Sequence, residues 1–451
     1  MKINEISKIN KKSKIGLISL GCPKNLVDSE YMLGILRQKG FEITLDTDKA
    51  DIVIINTCSF INKAETESVK TIMSFIESVK NNKKVIIAGC LAQKYKKELQ
   101  EAIPEAAAFI GTGDFSKIGD VVDRIISKEK SIFEVSQNPD YEHIENIKRF
   151  HITVGAGSYI KIAEGCDYSY SFCIIPSLKG KYKSRTMESI IKEATVLGKN
   201  GVNEIILIAQ DTVNYGKDIY GKPSLPTLLE KLNNIEEISW IRIMYFYPSF
   251  VDDELLNTIA KLEKVVKYID IPLQHSHPEI LKLMRRPCFD NGKLIEKIRE
   301  KVPDAAIRTA FITGFPGENE EHFEHLYNFV EKYKFDKLGI FQYSREKNTP
   351  SGSMKGQIPA KIKNRRKNEL MKLQQKISKK INTSLIGKNL PCIIETIISK
   401  NKIIGRSYRD APEIDGLVYI KTNEILNPGD IVNVKITDAT EYDLYGCLSK
   451  H

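Results

Sequence analysis

LISLGC (residues 17–22), VIINTC (53–58) and VIIAGC (85–90) are three short apolar runs, each closed by a cysteine. Runs this short and this rich in β-branched residues read as buried strands. Two more, Phe41–Leu45 and Ala107–Ile110, lie among them, and helical patterns fill the gaps. Asp28 is placed to cap a helix ending at Gly40, and Val69, Ile72, Met73 and Ile76 form one helical stripe. Strand–helix alternation implies a parallel, doubly wound, flavodoxin-like sheet over residues 14–130. In such a sheet all strands point one way, so Cys22, Cys58 and Cys90 emerge together on the ligand-binding edge. Buried structural cysteines are the plain alternative, but three equivalent strand-end positions favour a shared metal site. Three thiolates without a fourth ligand suit a four-iron cluster with one open iron, whereas a closed zinc site wants a fourth.

The 451 residues are too many for one hydrophobic core, so two or three domains are expected. With 41% hydrophobic and 28% charged residues the chain has the composition of a folded soluble protein, and no apolar run approaches the roughly 20 residues of a membrane span. Lysines crowd Met1–Lys14, yet the apolar run to Cys22 is short and holds Ser19, so it reads as a buried first strand and not a leader. Eight scattered cysteines point to metal or catalysis in a cytoplasmic protein, not to a secreted disulfide scaffold. The net charge of +10 concentrates in one predicted helix, 359–384, where apolar Ile362, Leu370, Leu373 and Ile377 leave a broad lysine face.

Ser131–Arg149 is polar and aperiodic, which suggests a linker. A second alternating series follows over 150–384, with candidate strands at Ser158–Ile162, Glu204–Ala209, Trp240–Met244, Tyr268–Ile271, Ala306–Phe311 and Leu338–Tyr343. Such β/α units make a partial or full barrel with its active site at the C-terminal strand ends. Short strand-like runs separated by Asn-Lys, Asp-Gly and Pro-Gly turns then predict a small all-β module over 385–451.

After the first strand of this second series the chain reads CDYSYSFC (166–173). With cysteine at 170 this would be C-x3-C-x2-C, and the loop resembles the one that defines radical S-adenosylmethionine enzymes. Further stretches carry the resemblance along nearly the whole chain: SLGCPKNLVDSE (19–30), CIIPSLKGKYKSR (173–185), AQDTVNYG (209–216), PLQHSHPEILKLMRRP (272–287), TGFPGE (313–318) and GRSYRDAPEIDG (405–416). Together they are similar to the methylthiotransferases, in the branch that modifies the β-carbon of an aspartate in small-ribosomal-subunit protein twelve. Other branches modify adenosine in transfer RNA.

The resemblance implies two [4Fe–4S] clusters, S-adenosylmethionine, an electron donor, and a terminal module like the RNA-binding TRAM domain. Cys22, Cys58 and Cys90 would hold the cluster that supplies methylated sulfur. Cys166 and Cys173 would hold the radical-generating cluster, with Phe172 near the adenine. Tyr170 occupies the third ligand position. A phenol with a pKa near 10 is a poor partner for cluster iron, and its oxygen reaches further than a cysteine sulfur. The second cluster is therefore expected to be labile, incomplete or absent. That favours a non-catalytic ribosome-binding relative as one alternative; transfer-RNA modification is the other.

The remaining candidates carry weaker signals. His275 and His277 have strand spacing and lack a third ligand, so an ordinary role is favoured. His322 and His325, among the acids Glu318, Glu320 and Glu321, are expected on a solvated helix face. Arg285, Arg286 and Arg308 read equally as substrate-positioning groups or structural ion pairs. Cys288, Cys392 and Cys447 sit in no motif and read as structural. Asn348 stands where the family usually has glycine, and asparagine tolerates positive φ. The basic helix suits contact with ribosomal RNA. Asp410, Glu413, Asp415, Asp438, Glu441 and Asp443 suggest an acidic terminal surface for a basic ribosomal protein.

Overall fold

Burial of Ile15, Ile52–Ile55 and Val85–Ala88 to within a few per cent builds a parallel sheet from the cysteine-ended runs. The computed structural model describes residues 13–79, 83–141, 147–152, 155–287, 289–399 and 401–449. Its strands β1 (Lys14–Ser19), β2 (Glu42–Ile43), β3 (Ile52–Thr57), β4 (Lys84–Gly89), β5 (Ala108–Ile110) and β6 (Ile132–Glu134) pair in the order β2-β1-β3-β4-β5-β6. All five pairings are parallel. The order reverses between β1 and β3, and that topological switch point is where open α/β sheets bind ligands. β6 lies inside the stretch expected to be a linker; Ile132 is buried there and completes the sheet edge.

Two helix expectations are corrected. Helix α1 (Pro23–Gln38) begins directly after Cys22, with Pro23 at its first turn, so Asp28 lies inside the helix and not at its cap. In α2 (Asn62–Val79) the inward residues are Ser68, Ile72 and Phe75, while Val69 and Met73 are exposed. Burying an apolar side chain of this size contributes about 1.5–3 kcal/mol, which fixes the face that Ile72 and Phe75 present. By contact density this unit comprises Met1–Ile152 together with Glu164–Tyr168 and Cys173–Arg185.

The other unit comprises Thr153–Ala163, Ser169–Phe172 and Thr186–His451. After β7 (Gly157–Lys161) come the short strands β8 (Ala163–Glu164) and β9 (Lys183–Ser184). β10 (Glu204–Ile208), β11 (Trp240–Ile243), β12 (Tyr268–Asp270), β13 (Ala306–Thr313) and β14 (Lys337–Gln342) follow. They form the parallel sheets β11-β10-β7 and β12-β13-β14. A bridge from Ile241 to Val265 and the hydrogen bond from Phe246 N to Asp270 O (2.8 Å) join the two into a partial barrel. The C-terminal strands β15 (Asn389–Ser399), β16 (Lys402–Ser407), β17 (Val418–Lys421), β18 (Ile431–Ala439) and β19 (Leu444–Leu448) close a small barrel in the order β15-β16-β17-β19-β18.

The basic helix, Ala360–Thr383, is a strut as much as a surface. Arg366 is buried and holds the Glu318 carboxylate at 2.7 Å, and Leu370, Leu373 and Ile377 pack inward. Lys361, Lys372, Lys376 and Lys380 remain exposed on its outer side. The expected acidic terminal surface is thinned but present: Glu413 and Asp438 are exposed and Glu441 and Asp443 partly so, whereas two of its acids turn inward. Asp410 is buried against Lys337, and Asp415 accepts a 2.6 Å hydrogen bond from Tyr268 Oη and faces Arg308 at 3.8 Å. Arg308 also pairs with Asp270 at 2.7 Å, which makes it a structural ion pair. Below them Glu204 sits fully buried between Arg242 and Arg406. The GRSYRDAPEIDG loop therefore spends its charges on the barrel's N-terminal strand ends.

Among the described residues no helix is long and apolar enough to cross a membrane.

Candidate metal centre

Cys22 caps α1, Cys58 follows β3, and Cys90 opens the helix Cys90–Tyr95 directly after β4. Strand polarity thus delivers the three thiols to one edge, as their spacing predicted. Gly21 has φ +91°, and a Cβ there would lie 2.4 Å from Cys58 Cβ and 2.9 Å from its Sγ, so only glycine lets the first loop close onto Cys58. Cys58 and Cys90 are buried and Cys22 is partly exposed.

Asn25, within the PKN stretch after Cys22, ties the three loops together. Its Nδ2 donates to the Leu20 and Thr57 carbonyls at 3.1 and 2.9 Å, and the Cys90 Sγ lies 3.9 Å from its Oδ1. Around it Asn56 Nδ2 donates to Asn25 O and Ser29 Oγ, Thr57 Oγ1 to Ala88 O, and Ser68 Oγ to Cys58 O. The edge is held in place chiefly by buried oxygen and nitrogen groups, with the Cys90 thiol adding one long contact to Asn25 Oδ1. Burial pushes the Cys90 thiol up to about 12, and neighbouring Cys58 and Cys22 add to the rise while Lys179 opposes it. Burial likewise raises Cys58. Such thiols stay protonated until a cation takes the proton's place.

Lys179 is the residue here that sequence reasoning missed. It ends the helix Ile175–Lys179, whose neighbours Ile174 and Leu178 pack against Cys90. Its side chain is 3% exposed, and its ammonium group donates to Asp28 Oδ2 at 3.2 Å and lies 3.7 Å from Glu164 Oε1. The ring of Tyr141 is 5.9 Å away. Burial opposes its charge, but Glu164 and Asp28 overcome that and raise its pKa. The only signal in the sequence was a lysine inside CIIPSLKGKYKSR.

Cys166 is buried, Cys173 is partly exposed, and both belong to the unit that holds the first three cysteines. Cys166 N donates to Gly180 O at 3.1 Å, and Gly165 has φ +76° with no room for a Cβ beside Lys181 O. Tyr170 and Phe172 belong to the barrel unit. Their rings stack at 5.8 Å and 9°, Phe172 meets Phe315 edge-on at 6.4 Å, and Tyr247 lies 6.2 Å from Tyr170. Ser171 between them donates to Met284 O and Leu283 O. Arg286 is buried, donates to Pro272 O, and covers both tyrosine rings; Arg285 is exposed.

His275 is fully buried, with Nε2 3.5 Å from Glu318 Oε2. His277, Glu279 and His322 offer ligand atoms within 4.8 Å of one another, a grouping that leaves out His275 and so does not complete the expected His275–His277 pair. His322 is buried and forms a capping box with Asn319, contrary to the solvated face expected for it; His325 is exposed. However, Nδ1 of His277 accepts from Glu279 N and Nδ1 of His322 accepts from Asn319 N. Each Nε2 must then carry the proton, the tautomer opposite to the one a metal requires. Cys392 is buried in β15, Cys447 lies in β19, and Cys288 lies outside the described residues. Asn348 is not among the described residues with positive φ, so glycine's freedom is not needed there.

Comparison with known proteins adds three matched regions. Residues 14–111 match a family described as uncharacterized protein family UPF0004, 160–330 the radical SAM superfamily, and 386–448 the TRAM domain. The ribosomal protein uS12 methylthiotransferase RimO of Crocosphaera subtropica is 48% identical over 438 residues, 96% of this chain and 99% of that protein. Those of a Thermoanaerobacter species and of Caldanaerobacter subterraneus are 49% and 50% identical, again over 96% of this chain and 99% of theirs. Among solved structures, the radical S-adenosylmethionine methyltransferase TsrM of Kitasatospora setae, with cobalamin and a [4Fe–4S] cluster bound, superposes with a TM-score of 0.57. Identity is 13%, over 76% of this chain and 77% of that one, a likeness of fold alone.

Proposed function

The chain belongs to the ribosomal protein uS12 methylthiotransferase family of radical S-adenosylmethionine enzymes, and we infer that it adds a methylthio group to the β-carbon of an aspartate of uS12. Its cofactors by family are [4Fe–4S] clusters and S-adenosylmethionine. The observation that carries the reading is likeness to a uS12 methylthiotransferase at 48% identity over 96% of this chain and 99% of that protein.

The residues fit the first cluster. Three thiols on one ligand-binding edge, with side chains around them committed to holding that edge, are the donor set a four-iron cluster with one open iron requires. Cys22, Cys58 and Cys90 would hold it, and when bound it supplies an iron at which sulfur awaiting transfer is carried. Asn25 orients the loops, and the apolar wall of Ile174 and Leu178 keeps water from Cys90.

The residues at 166–173 do not fit a second cluster held in the same manner. Cys166 and Cys173 give two thiols, and the third position carries the Tyr170 ring, stacked on Phe172 and covered by Arg286. This departure impairs the radical half of the reaction in the native chain, so its uS12 methylthiolation would be slow until the third thiol is restored. Phe172 remains the candidate neighbour of the S-adenosylmethionine adenine.

The protein would act in the cytoplasm on or near the ribosome, with an electron donor. The exposed row Lys361, Lys372, Lys376 and Lys380 suits ribosomal RNA phosphates.

The test is incubation of reconstituted protein with small ribosomal subunits, S-adenosylmethionine, sulfide and a reductant, read as the mass gain of one methylthio group on a uS12 aspartate. Native chain and Tyr170→Cys are run side by side. Modification by Tyr170→Cys alone supports both the substrate and the defect. Modification by neither, with transfer RNA modified instead, sinks the uS12 reading.

A further inference from the structure

Lys179 is a buried cation at the meeting of two segments that carry cysteines. It lies on the helix Ile175–Lys179 just after Cys173, it is paired with Asp28 on the helix that begins after Cys22, and Glu164 precedes Cys166 by two residues. All of these residues belong to one unit. The three thiolates of Cys22, Cys58 and Cys90 would place negative charge in the same interior, and buried charge needs compensation. Leu178, the residue before Lys179, packs against Cys90, and the Lys179 charge acts on both Cys90 and Cys58. Ile174 and Leu178 keep water out of the Cys90 side, so the interaction is weakly screened.

We propose that the Lys179–Asp28 pair is a positioning device that sets the reduction potential of the iron–sulfur cluster at Cys22, Cys58 and Cys90, with Lys179 as its counter-cation and Asp28 as the brake on that charge. The inference rests on the assignment of those cysteines as ligands. Its chemical content is a sign: a cation near the cluster favours the more negative, reduced state, and an anion disfavours it. Tyr141 and Glu164 border Lys179, at 5.9 Å to the ring and 3.7 Å to the carboxylate, and limit where its ammonium group can move.

The experiment is an EPR-monitored redox titration of the reconstituted full chain, with iron counted in each variant. The first cluster's signal is identified as the one lost in Cys90→Ala. Lys179→Met should shift the midpoint to lower potential, Asp28→Asn to higher potential, and Lys179→Arg should leave it near the native value. A merely structural role would loosen the site in both charge variants and move them the same way. Shifts of one sign, or no shift with iron retained, overturn the proposal. If Lys179→Met fails to keep iron, the decision falls to Asp28→Asn, which must rise. Cys90→Ala that keeps all its iron would overturn the ligand assignment itself and take this proposal with it, an outcome separate from flat potentials in variants whose cluster is intact.

Discussion

The guanidinium of Arg286 lies over the ring of Tyr170, its Cζ 4.9 Å from the centroid, and 5.5 Å from that of Tyr247. Contacts of this kind contribute about 0.5–2 kcal/mol each, so the tyrosine is an integrated part of the barrel and not a loose substitution. Ser171, anchored to the Leu283 and Met284 carbonyls beside it, fixes the backbone that presents the ring.

Tyr170→Cys removes that ring and restores a third thiol. Bound iron is expected to rise from about four to about eight per chain, and S-adenosylmethionine cleavage to begin. Iron analysis, EPR and chromatography of deoxyadenosine check this. A native chain that already holds about eight irons and cleaves S-adenosylmethionine would show that the loop has recruited another ligand.

Asn25→Ala should weaken the first cluster without replacing a cysteine. The substitution strands the Leu20 and Thr57 carbonyls, which are donated to at 3.1 and 2.9 Å. Leaving buried acceptors unsatisfied costs about 1–3 kcal/mol. Iron should be lost to a chelator faster than from the native chain, and Cys58→Ala should fail to retain it at all. Equal chelation rates for Asn25→Ala and native protein would remove Asn25 from the site.

Acid should unfold the barrel unit through Glu204. Burial pushes this carboxyl up, but Arg406 and Arg242 outweigh it and hold it below its ordinary value of 4.5. A carboxyl lowered in the folded state contributes stability that is complete above 4.5 and is lost as pH falls through the folded value. Glu204→Gln, which leaves two buried arginines short of a counter-charge, should cost about 3–5 kcal/mol at neutral pH and flatten the acid limb. Thermal denaturation from neutral pH into acid reads both effects. An unchanged acid limb in the variant would assign acid sensitivity elsewhere.

The basic helix divides into an inner and an outer role that separate experimentally. Replacing exposed Lys372, Lys376 and Lys380 by glutamate should weaken binding to small ribosomal subunits and lower the salt slope by about one per lysine, with little change in melting temperature. Arg366→Met should do the reverse, because its guanidinium is buried on Glu318 at 2.7 Å. Binding that ignores the lysines would leave the row as a solvated face.

Much of the site was legible because strand polarity is a local property. An apolar run followed by cysteine names both the strand and the edge where the thiol emerges, and in a parallel sheet that edge is common to all. Hence Cys22, Cys58 and Cys90 could be placed on one edge, and that residues 166–173 hold two cysteines and not three needed only counting. Helix faces were less secure: Val69 and Met73 turned outward because Ser68 and Phe75 complete the buried stripe on α2.

Charge was where the sequence by itself stopped. It determined the α/β order of the chain, the cysteine edge and the residue at 170. Only the tertiary structure decided which acids face a partner and which face the interior. Asp410 and Asp415 go inward to Lys337 and Arg308, and Asp28 lies within a helix, where Lys179 reaches it across 151 positions. The reason is physical: a strand's direction is set by its own residues, whereas a buried charge persists only where a distant segment brings the opposite one to within hydrogen-bonding range.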